Sequence, residues 1–328
     1  MDRILVTGGG GFIGSHLARY LCQQGHFVRV VDVKFDDYIQ EKYYSERLQL
    51  DLRELENCLK ATQGIDKVYN LAANMGGIGF ITSVSAEVMH DNVLINTYML
   101  EASVRNAVRR YLFSSSACVY PNYKQTNAHV EGLREEDAYP ADPNEAYGWE
   151  KLFTEEMVKA YQEDRGLDVR IVRYHNIYGP EGTYRGGKEK APAALCRKVA
   201  QASAPGSIII WGDGKATRSF CFIDDCVRGT VALMESDYDE PLNIGSDRLV
   251  SVDELADIII KASGKKISKT YDLSAPEGVK GRNADLTLVK KVLGWEPRVS
   301  LEEGLENTYR WIEMMVEKDK EGKGGAKG

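Results

Sequence analysis

The 328-residue chain is long enough for one large domain or two associated ones, and its formal net charge of −7, spread along the whole length, excludes the clustered basic stripe of a nucleic-acid-binding protein. Six cysteines (Cys22, Cys58, Cys118, Cys196, Cys221, Cys226) form no CxxC pair and no Cys/His grouping with zinc-ligand spacing, so neither a metal site nor a disulfide framework is expected. The N-terminus has no secretory pattern and no stretch reaches 18 apolar residues, which predicts a cytoplasmic protein without membrane spans.

The chain opens on a β-branched strand, "RILVTG", that runs into a helical pattern, "FIGSHLARYLCQQG". There follow a strand "FVRVVD", a helix "LRELENCLKATQG", a strand "KVYNLAA", a helical stretch from Ser85 to Arg105 and a strand "RYLFSSS". Short strands alternating with helices predict right-handed βαβ units. The fold class is therefore α/β, a Rossmann-type doubly wound parallel sheet covered on both faces, over residues 1–173.

Gly8, Gly11 and Gly14 fall at the junction of the first strand and first helix, with Phe12 and Ile13 on the opening turn. Glycines suit a tight turn, close approach of the backbone to a pyrophosphate and close helix packing, and the helix N-terminus favours phosphate. The second strand ends on Asp32, about 20 residues on, where a carboxylate binds the adenosine ribose hydroxyls and repels a 2′-phosphate. NAD is accordingly expected over NADP. Asp51 and Leu52 follow the third strand; Asp51 either reaches the adenine with Leu52 or caps the helix "LRELENCL".

Ser116 ends the strand "RYLFSSS", at the C-terminal end of its strand where doubly wound folds bind ligands, and Cys118 follows two residues later. Strand periodicity would turn both side chains to one face. In the helix "EAYGWEKLFTEEMVKAYQ", Tyr147 and Lys151 are four residues apart and share a face. An ammonium beside a phenol lowers its pKa from about 10 toward neutrality and makes a general base. Ser116 would share the proton. Read alone, Cys118 is a small buried hydrophobe.

After about Arg173 the pattern loosens into glycine-rich turns, "GPEGTYRGG" and "WGDGK". A smaller C-terminal α/β substrate-binding domain is predicted over 174–328, with part of 215–245 returning to the first domain. Ser251 and Glu254 form a capping box opening a helix that ends near Gly264. The polar tail "EKDKEGKGGAKG" predicts disorder from about 318.

The segments "TGGGGFIG", "FSSSACVYP", "YGWEK", "YHNIYGP", "WGDGKATRSF", "FIDD" and "NIGS" resemble the extended short-chain dehydrogenase/reductase superfamily of nucleotide-sugar epimerases and dehydratases, in its order. Within it, "NMGGIGF", "SSACVYP", the run from His175 to Lys198 and "PEGV.GRN" from Pro276 to Asn283 resemble the GDP-mannose 3,5-epimerases. The resemblance implies oxidation of the mannosyl group at carbon 4 by bound NAD with Tyr147, Lys151 and Ser116. Proton exchange at carbons 5 and 3 and re-reduction follow, giving GDP-L-galactose and, where only carbon 5 is inverted, the 5-epimer of the substrate, GDP-L-gulose.

The family's acid/base pair, a cysteine and a lysine on opposite sugar faces, carries over to Cys118 and Lys190. Without the resemblance, Lys190 reads as a solvated charge beside Lys188 and Glu189. The family positions at substrate carry over to Gly76, Gly77 and Asn176 near the hexose, Arg282 near the sugar, and Lys198 and Arg218 toward the diphosphate. A homodimer is the family expectation. Two departures stand out: Ala216 replaces a polar substrate contact, and the family's longer C-terminal extension with its aromatic residue near the substrate is missing, which implies a less complete lid. Other NAD-dependent nucleotide-sugar epimerases, 4,6-dehydratases and a non-catalytic NAD-sensing protein remain as alternatives. A dehydratase needs two carboxyl side chains where this chain has Ala117 and Cys118, and a non-catalytic relative would be expected to lose Tyr147 or Lys151.

Overall fold

Seven parallel strands form the centre of the computed structural model, which describes residues 1–35, 43–275 and 278–324. The first part of the chain runs β1 (Arg3–Thr7), α1 (Phe12–Gln23), β2 (Phe27–Asp32), β3 (Glu46–Gln49), α2 (Leu55–Thr62), β4 (Lys67–Asn70), α3 (Ile78–Ser83), α4 (Ser85–Arg105), β5 (Arg110–Ser116), α5 (Glu145–Arg165) and β6 (Asp168–Tyr174). The second runs β7 (Ile177–Tyr178), α6 (Ala191–Gln201), β8 (Gly206–Trp211), β9 (Thr217–Ser219), β10 (Cys221–Phe222), α7 (Ile223–Glu235), β11 (Pro241–Ile244), β12 (Leu249–Ser251), α8 (Val252–Ser263), β13 (Ile267–Asp272), β14 (Gly281–Arg282), α9 (Thr287–Leu293) and α10 (Leu301–Gly324).

The large sheet has the order β11-β6-β5-β4-β1-β2-β3. Its inner strands are largely apolar on both faces because helices cover both, whereas the edge strand β3 is half exposed. Ile4, Val6, Val28, Val30, Leu112 and Val172 face one core, with Leu17 and Leu21 of α1 and Leu233 of α7; Leu5, Val31, Val68, Tyr111, Phe113 and Val169 face the other, with residues of α2, α4 and α5. Burying each such aliphatic side chain stabilises the fold by roughly 1.5–3 kcal/mol. The chain order reverses between β1 and β4, and a ligand crevice opens there, at the carboxyl ends of the strands.

Helices α6, α8 and α10 pack on one another beside this sheet, β8 pairs with β13, and β9 lies between β12 and β14. The first core continues into this part through Leu195, Ile208, Ile259 and Leu305. Strand β11 leaves it and pairs in parallel with β6 at the edge of the large sheet. Ser251 caps α8: its hydroxyl accepts from the Glu254 amide at 3.1 Å, and the Glu254 carboxylate accepts from the Ser251 amide at 2.7 Å.

The tail differs from expectation. Instead of becoming disordered near 318, the chain stays helical in α10 to Gly324. Asp319 accepts a hydrogen bond from the Tyr184 hydroxyl at 2.8 Å and pairs with Arg185 at 2.5 Å, so distant partners order a segment whose local composition offers little to bury. Residues 325–328 lie outside the described residues.

Candidate active site

The turn after β1 is built on glycine. Gly8 has φ +66°, its carbonyl accepts from the Gly11 amide at 3.0 Å, and a Cβ on Gly14 would stand 2.2 Å from that carbonyl oxygen. No side chain caps α1, whose first turn carries no acidic residue, so the amides around Phe12, Ile13 and Gly14 can face an anion. At the end of β2 the Asp32 carboxylate accepts from the Gly10 amide at 2.9 Å. Thr7 Oγ1 accepts from the amides of Leu71 and Ala72, both at 3.0 Å, and fixes the far wall.

Asp51 and Leu52 close one end of a cavity of about 540 Å³ that runs past the glycine turn to Ser116, Tyr147 and Lys151. Of the two readings of Asp51, the helix cap fails: α2 starts later, at Leu55, with Glu54 in the capping position. Asp51 instead pairs with Arg53 at 2.6 Å, and that contact with Arg53 holds its carboxyl below the usual range. The cradle that a Cβ would fill, the uncapped helix start and the Asp32 carboxylate together fit a dinucleotide such as NAD.

Ser116 ends β5, and the next residues leave the strand. Ala117–Val119 form a 3-10 turn, and the Ser116 hydroxyl accepts from the Cys118 amide at 3.2 Å. The expected strand alternation therefore does not extend to Cys118; the turn carries its thiol into the same cavity wall instead. The Cys118 carbonyl accepts from the Asn144 amide at 2.8 Å and packs so closely on α5 that a Cβ on Gly148 would come within 2.3 Å of it. This docking seats Cys118 against Tyr147.

Lys151 is buried, with its ammonium 4.8 Å from the Phe113 ring centre, 5.5 Å from the Tyr147 ring centre and 4.0 Å from Glu150 Oε1. In the chain itself Tyr147 is not lowered toward neutrality. Burial pushes its phenol well up, the charges of Glu150 and Cys118 add to this, and the Ser116 hydroxyl opposes it. Burial also pushes the Lys151 ammonium down, against Glu150 and Glu155. Behind Ser116, the Glu155 carboxylate accepts from Ser115 and pairs with buried Arg173 at 2.6 Å.

A second cavity of about 360 Å³ adjoins the first, and Ser116, Tyr147, Asn176 and Lys190 line both. Cys118 lies in its wall. Burial alone would raise that thiol, but the Arg282 charge, the Ser116 hydroxyl, the Arg282 hydrogen bond and Lys190 bring it below its ordinary value. Arg282 Nη1 is 3.4 Å from Cys118 Sγ. Lys190 holds the capping position just before α6, is exposed, and lines the cavity. Surrounding protein lowers its ammonium, with Cys118 raising and Arg282 lowering it further. The Gly77 amide donates to the Lys188 carbonyl at 3.1 Å, and a Cβ there would stand 2.8 Å from the Glu189 carbonyl, so only glycine lets this loop lie against the segment carrying Lys190.

Lys190, Arg197, Lys198, Arg218 and Arg282 give the second cavity a positive wall, and its only acidic lining residue among the described residues, Glu189, is paired with Arg197 at 2.8 Å. Lys198 and Arg218 anchor on backbone carbonyls, of Ile209 at 2.6 Å and Val279 at 2.5 Å. Asn176, at φ 43°, donates to the Ser219 carbonyl at 2.9 Å. Gly76, Gly77 and the methyl of Ala216 complete the wall.

The cavity that holds Gly8, Gly11, Phe12, Ile13, Gly14, Asp32, Asp51, Leu52 and Lys151 thus meets the one that holds Gly77, Cys118, Lys198, Arg218 and Arg282. Of the "PEGV" segment, Pro276 and Glu277 lie outside the described residues. Sequence reading overlooked Trp211 and Gln125. Trp211 is half exposed in the second cavity, 5.4 Å from the Lys198 ammonium, and an aromatic ending a strand beside "GDGK" could have flagged it. Gln125 has no local signature; it bonds Arg282 across 157 positions of sequence.

Residues 4–245 match the NAD dependent epimerase/dehydratase family. GDP-mannose 3,5-epimerase 1 of Oryza sativa subsp. japonica is 50% identical over 319 residues, covering 97% of this chain and 83% of the relative. UDP-glucose 4-epimerase of Thermotoga maritima, solved with UDP-glucose, superposes with TM-score 0.87 at 28% identity, over 96% of this chain and 99% of that one. UDP-glucuronic acid 4-epimerase of Bacillus cereus, solved with UDP-glucuronic acid and NAD, gives TM-score 0.80 at 28% identity, over 95% and 99%.

Proposed function

The chain belongs to the NAD dependent epimerase/dehydratase family, and on that footing we propose that it is an isomerase converting GDP-α-D-mannose to GDP-β-L-galactose, with GDP-L-gulose as the 5-epimer. The observation that carries this reading is the meeting of the two cavities at Ser116, Tyr147 and Lys190, with Cys118 beside them. NAD would lie on Gly8, Gly11, Phe12, Ile13, Gly14, Asp32, Asp51, Leu52, Tyr147 and Lys151. When bound, NAD takes up and returns the hydride of carbon 4, and its positively charged ring adds to Lys151 in favouring the Tyr147 phenolate.

Tyr147 takes the proton of the carbon-4 hydroxyl, with Ser116 holding the oxygen, and Lys151 stabilises the phenolate. A ketone at carbon 4 acidifies carbons 5 and 3, because either carbanion delocalises as an enolate. Cys118, lowered by its cationic neighbours, removes a proton from one face. Lys190, also lowered, delivers one to the other. Arg282 holds the sugar side with Gly76, Gly77 and Asn176, while Lys198 and Arg218 hold the diphosphate, arginine forks suiting paired phosphate oxygens.

Residues 1–173, with the part of 215–245 that includes β11, are assigned to NAD and the remainder of 174–328 to the nucleotide sugar. A homodimer through α4 and α5 is supported by the exposed apolar side chains of Met89, Trp149 and Phe153. A cytoplasmic location is supported by six free cysteines, and no described helix is long and apolar enough to cross a membrane. The net charge of −7 argues against nucleic acid as a partner. Incubation with GDP-mannose in deuterated water tests the activity: deuterium at carbons 3 and 5 of GDP-L-galactose is expected, and its absence from both refutes the reading.

A further inference from the structure

Gln125 follows the short turn Asn122–Lys124, just beyond the Cys118 turn, and is only 1% exposed. Its side-chain amide is used at both ends. Nε2 donates to the carbonyls of Tyr120 and Pro121 at 3.0 and 3.1 Å, and Oε1 accepts from Arg282 Nε at 2.6 Å. Reversing the amide would set its NH2 against the guanidinium and its oxygen against two carbonyls, so the orientation is determined. The Gln125 main-chain carbonyl also accepts from the amides of Lys280 and Gly281, at 3.0 and 3.3 Å. A Cβ on Gly281 would stand 2.2 Å from the Asn127 carbonyl, so β14 is pressed onto this loop.

With Nε held, the plane of the guanidinium is set. Nη1 then points at Cys118 Sγ, 3.4 Å away, while Nη2 is buried and has no hydrogen-bond partner in the protein. A buried donor without a partner is costly unless a ligand supplies an acceptor.

We propose that Gln125 is a positioning residue for the Cys118 thiol: it fixes Arg282 so that one guanidinium nitrogen holds the sulfur and the other faces the bound sugar nucleotide. The proposal rests on the reading of Cys118 as the base. The charged and titratable groups facing that sulfur are Arg282 from β14, Lys190 at the head of α6, and Tyr147 and Lys151 from α5; the α3 side contributes Ile78, Phe80 and Ile81, and His175 stands near Arg282. Arg282 is the charge that contributes most to lowering the thiol, and Gln125 sets its direction.

The test is the pH dependence of iodoacetamide alkylation at Cys118, followed by peptide mass spectrometry on the full chain without substrate. Gln125→Met, similar in volume but without the amide, is expected to raise the alkylation midpoint by about one pH unit, roughly tenfold less thiolate at a given pH below it. In an Arg282→Met background the same change should move the midpoint no further, because the effect passes through the guanidinium. If Gln125→Met does not fold, Gln125→Asn carries the same expectation, since it keeps the amide but withdraws its oxygen by one methylene. An unchanged midpoint, or an equal rise in both backgrounds, overturns the proposal. Because alkylation needs no turnover, a midpoint shift without deuterium exchange would refute the epimerase reading and leave this role standing.

Discussion

Arg282 Nη1 and Cys118 Sγ lie 3.4 Å apart although 164 positions separate them in sequence. Although burial alone would raise the buried thiol, that guanidinium, with the Ser116 hydroxyl and Lys190, brings it below its ordinary value.

Cys118→Ala should abolish deuterium incorporation from solvent, a loss of at least about a hundredfold, since a positioned base contributes roughly 10²–10⁴. Oxidation at carbon 4 does not use the thiol and should persist, seen as slow growth of reduced-cofactor absorbance. A variant that exchanges at the parent rate would remove Cys118 from the mechanism.

Gly14→Ala addresses the cofactor cradle. Its Cβ would meet the Gly8 carbonyl at 2.2 Å, a backbone atom that cannot swing aside. Relieving such a clash costs on the order of 1–3 kcal/mol, so NAD affinity should fall about tenfold or more. Calorimetric titration of NAD reads this directly, and unchanged affinity would show that the turn does not approach the dinucleotide.

Glu155→Ala should destabilise the fold far more than an average surface change. Arg173 is 2% exposed and its guanidinium pairs with Glu155 at 2.6 Å, so the variant leaves a buried charge uncompensated. A loss of about 3–5 kcal/mol is expected from urea denaturation.

His175 gives the fold an acid-sensitive element. Burial pushes its pKa down to about 3; the hydrogen bond to Asn243 opposes this, and Arg282 and Arg173 add to it. Since the folded value lies below the ordinary value of about 6.5, the stability is fully present above that pH and is lost as pH falls toward 3. In His175→Phe this slope should vanish. The stability gap between parent and variant should therefore narrow by up to about 1.4 kcal/mol for each pH unit below 6.5, measured by denaturant titration. A gap constant from pH 7 to 5 would contradict the assignment of a neutral buried imidazole.

Local chemistry decided what could be read from the sequence. The helix expected from Ser85 to Arg105 has those bounds, and the caps at Ser251 and Gly264 form as their residue types dictate. The glycine turn and Asp32 were visible because a tight strand-to-helix turn and a carboxylate ending a strand leave signatures within a few residues. Cys118 was harder, since strand periodicity cannot foresee a 3-10 turn that begins where the ladder stops. Gln125 and Glu155 were invisible: each is defined by a partner, Arg282 or Arg173, that only the folded chain brings near. The ordered α10 was misread for the same reason, because Asp319 finds Tyr184 and Arg185 across the fold.

The return of β11 to the edge of β6 makes the two halves of this protein inseparable as gene fragments. A chain ending before Pro241 would bare the edge of β6, whose Ile171 and Val172 are fully buried in the native state, and offer it to other copies. Such a fragment is therefore a candidate for aggregation rather than for a minimal NAD-binding module. Recombination between relatives should succeed only where the exchanged block carries β6 and β11 together.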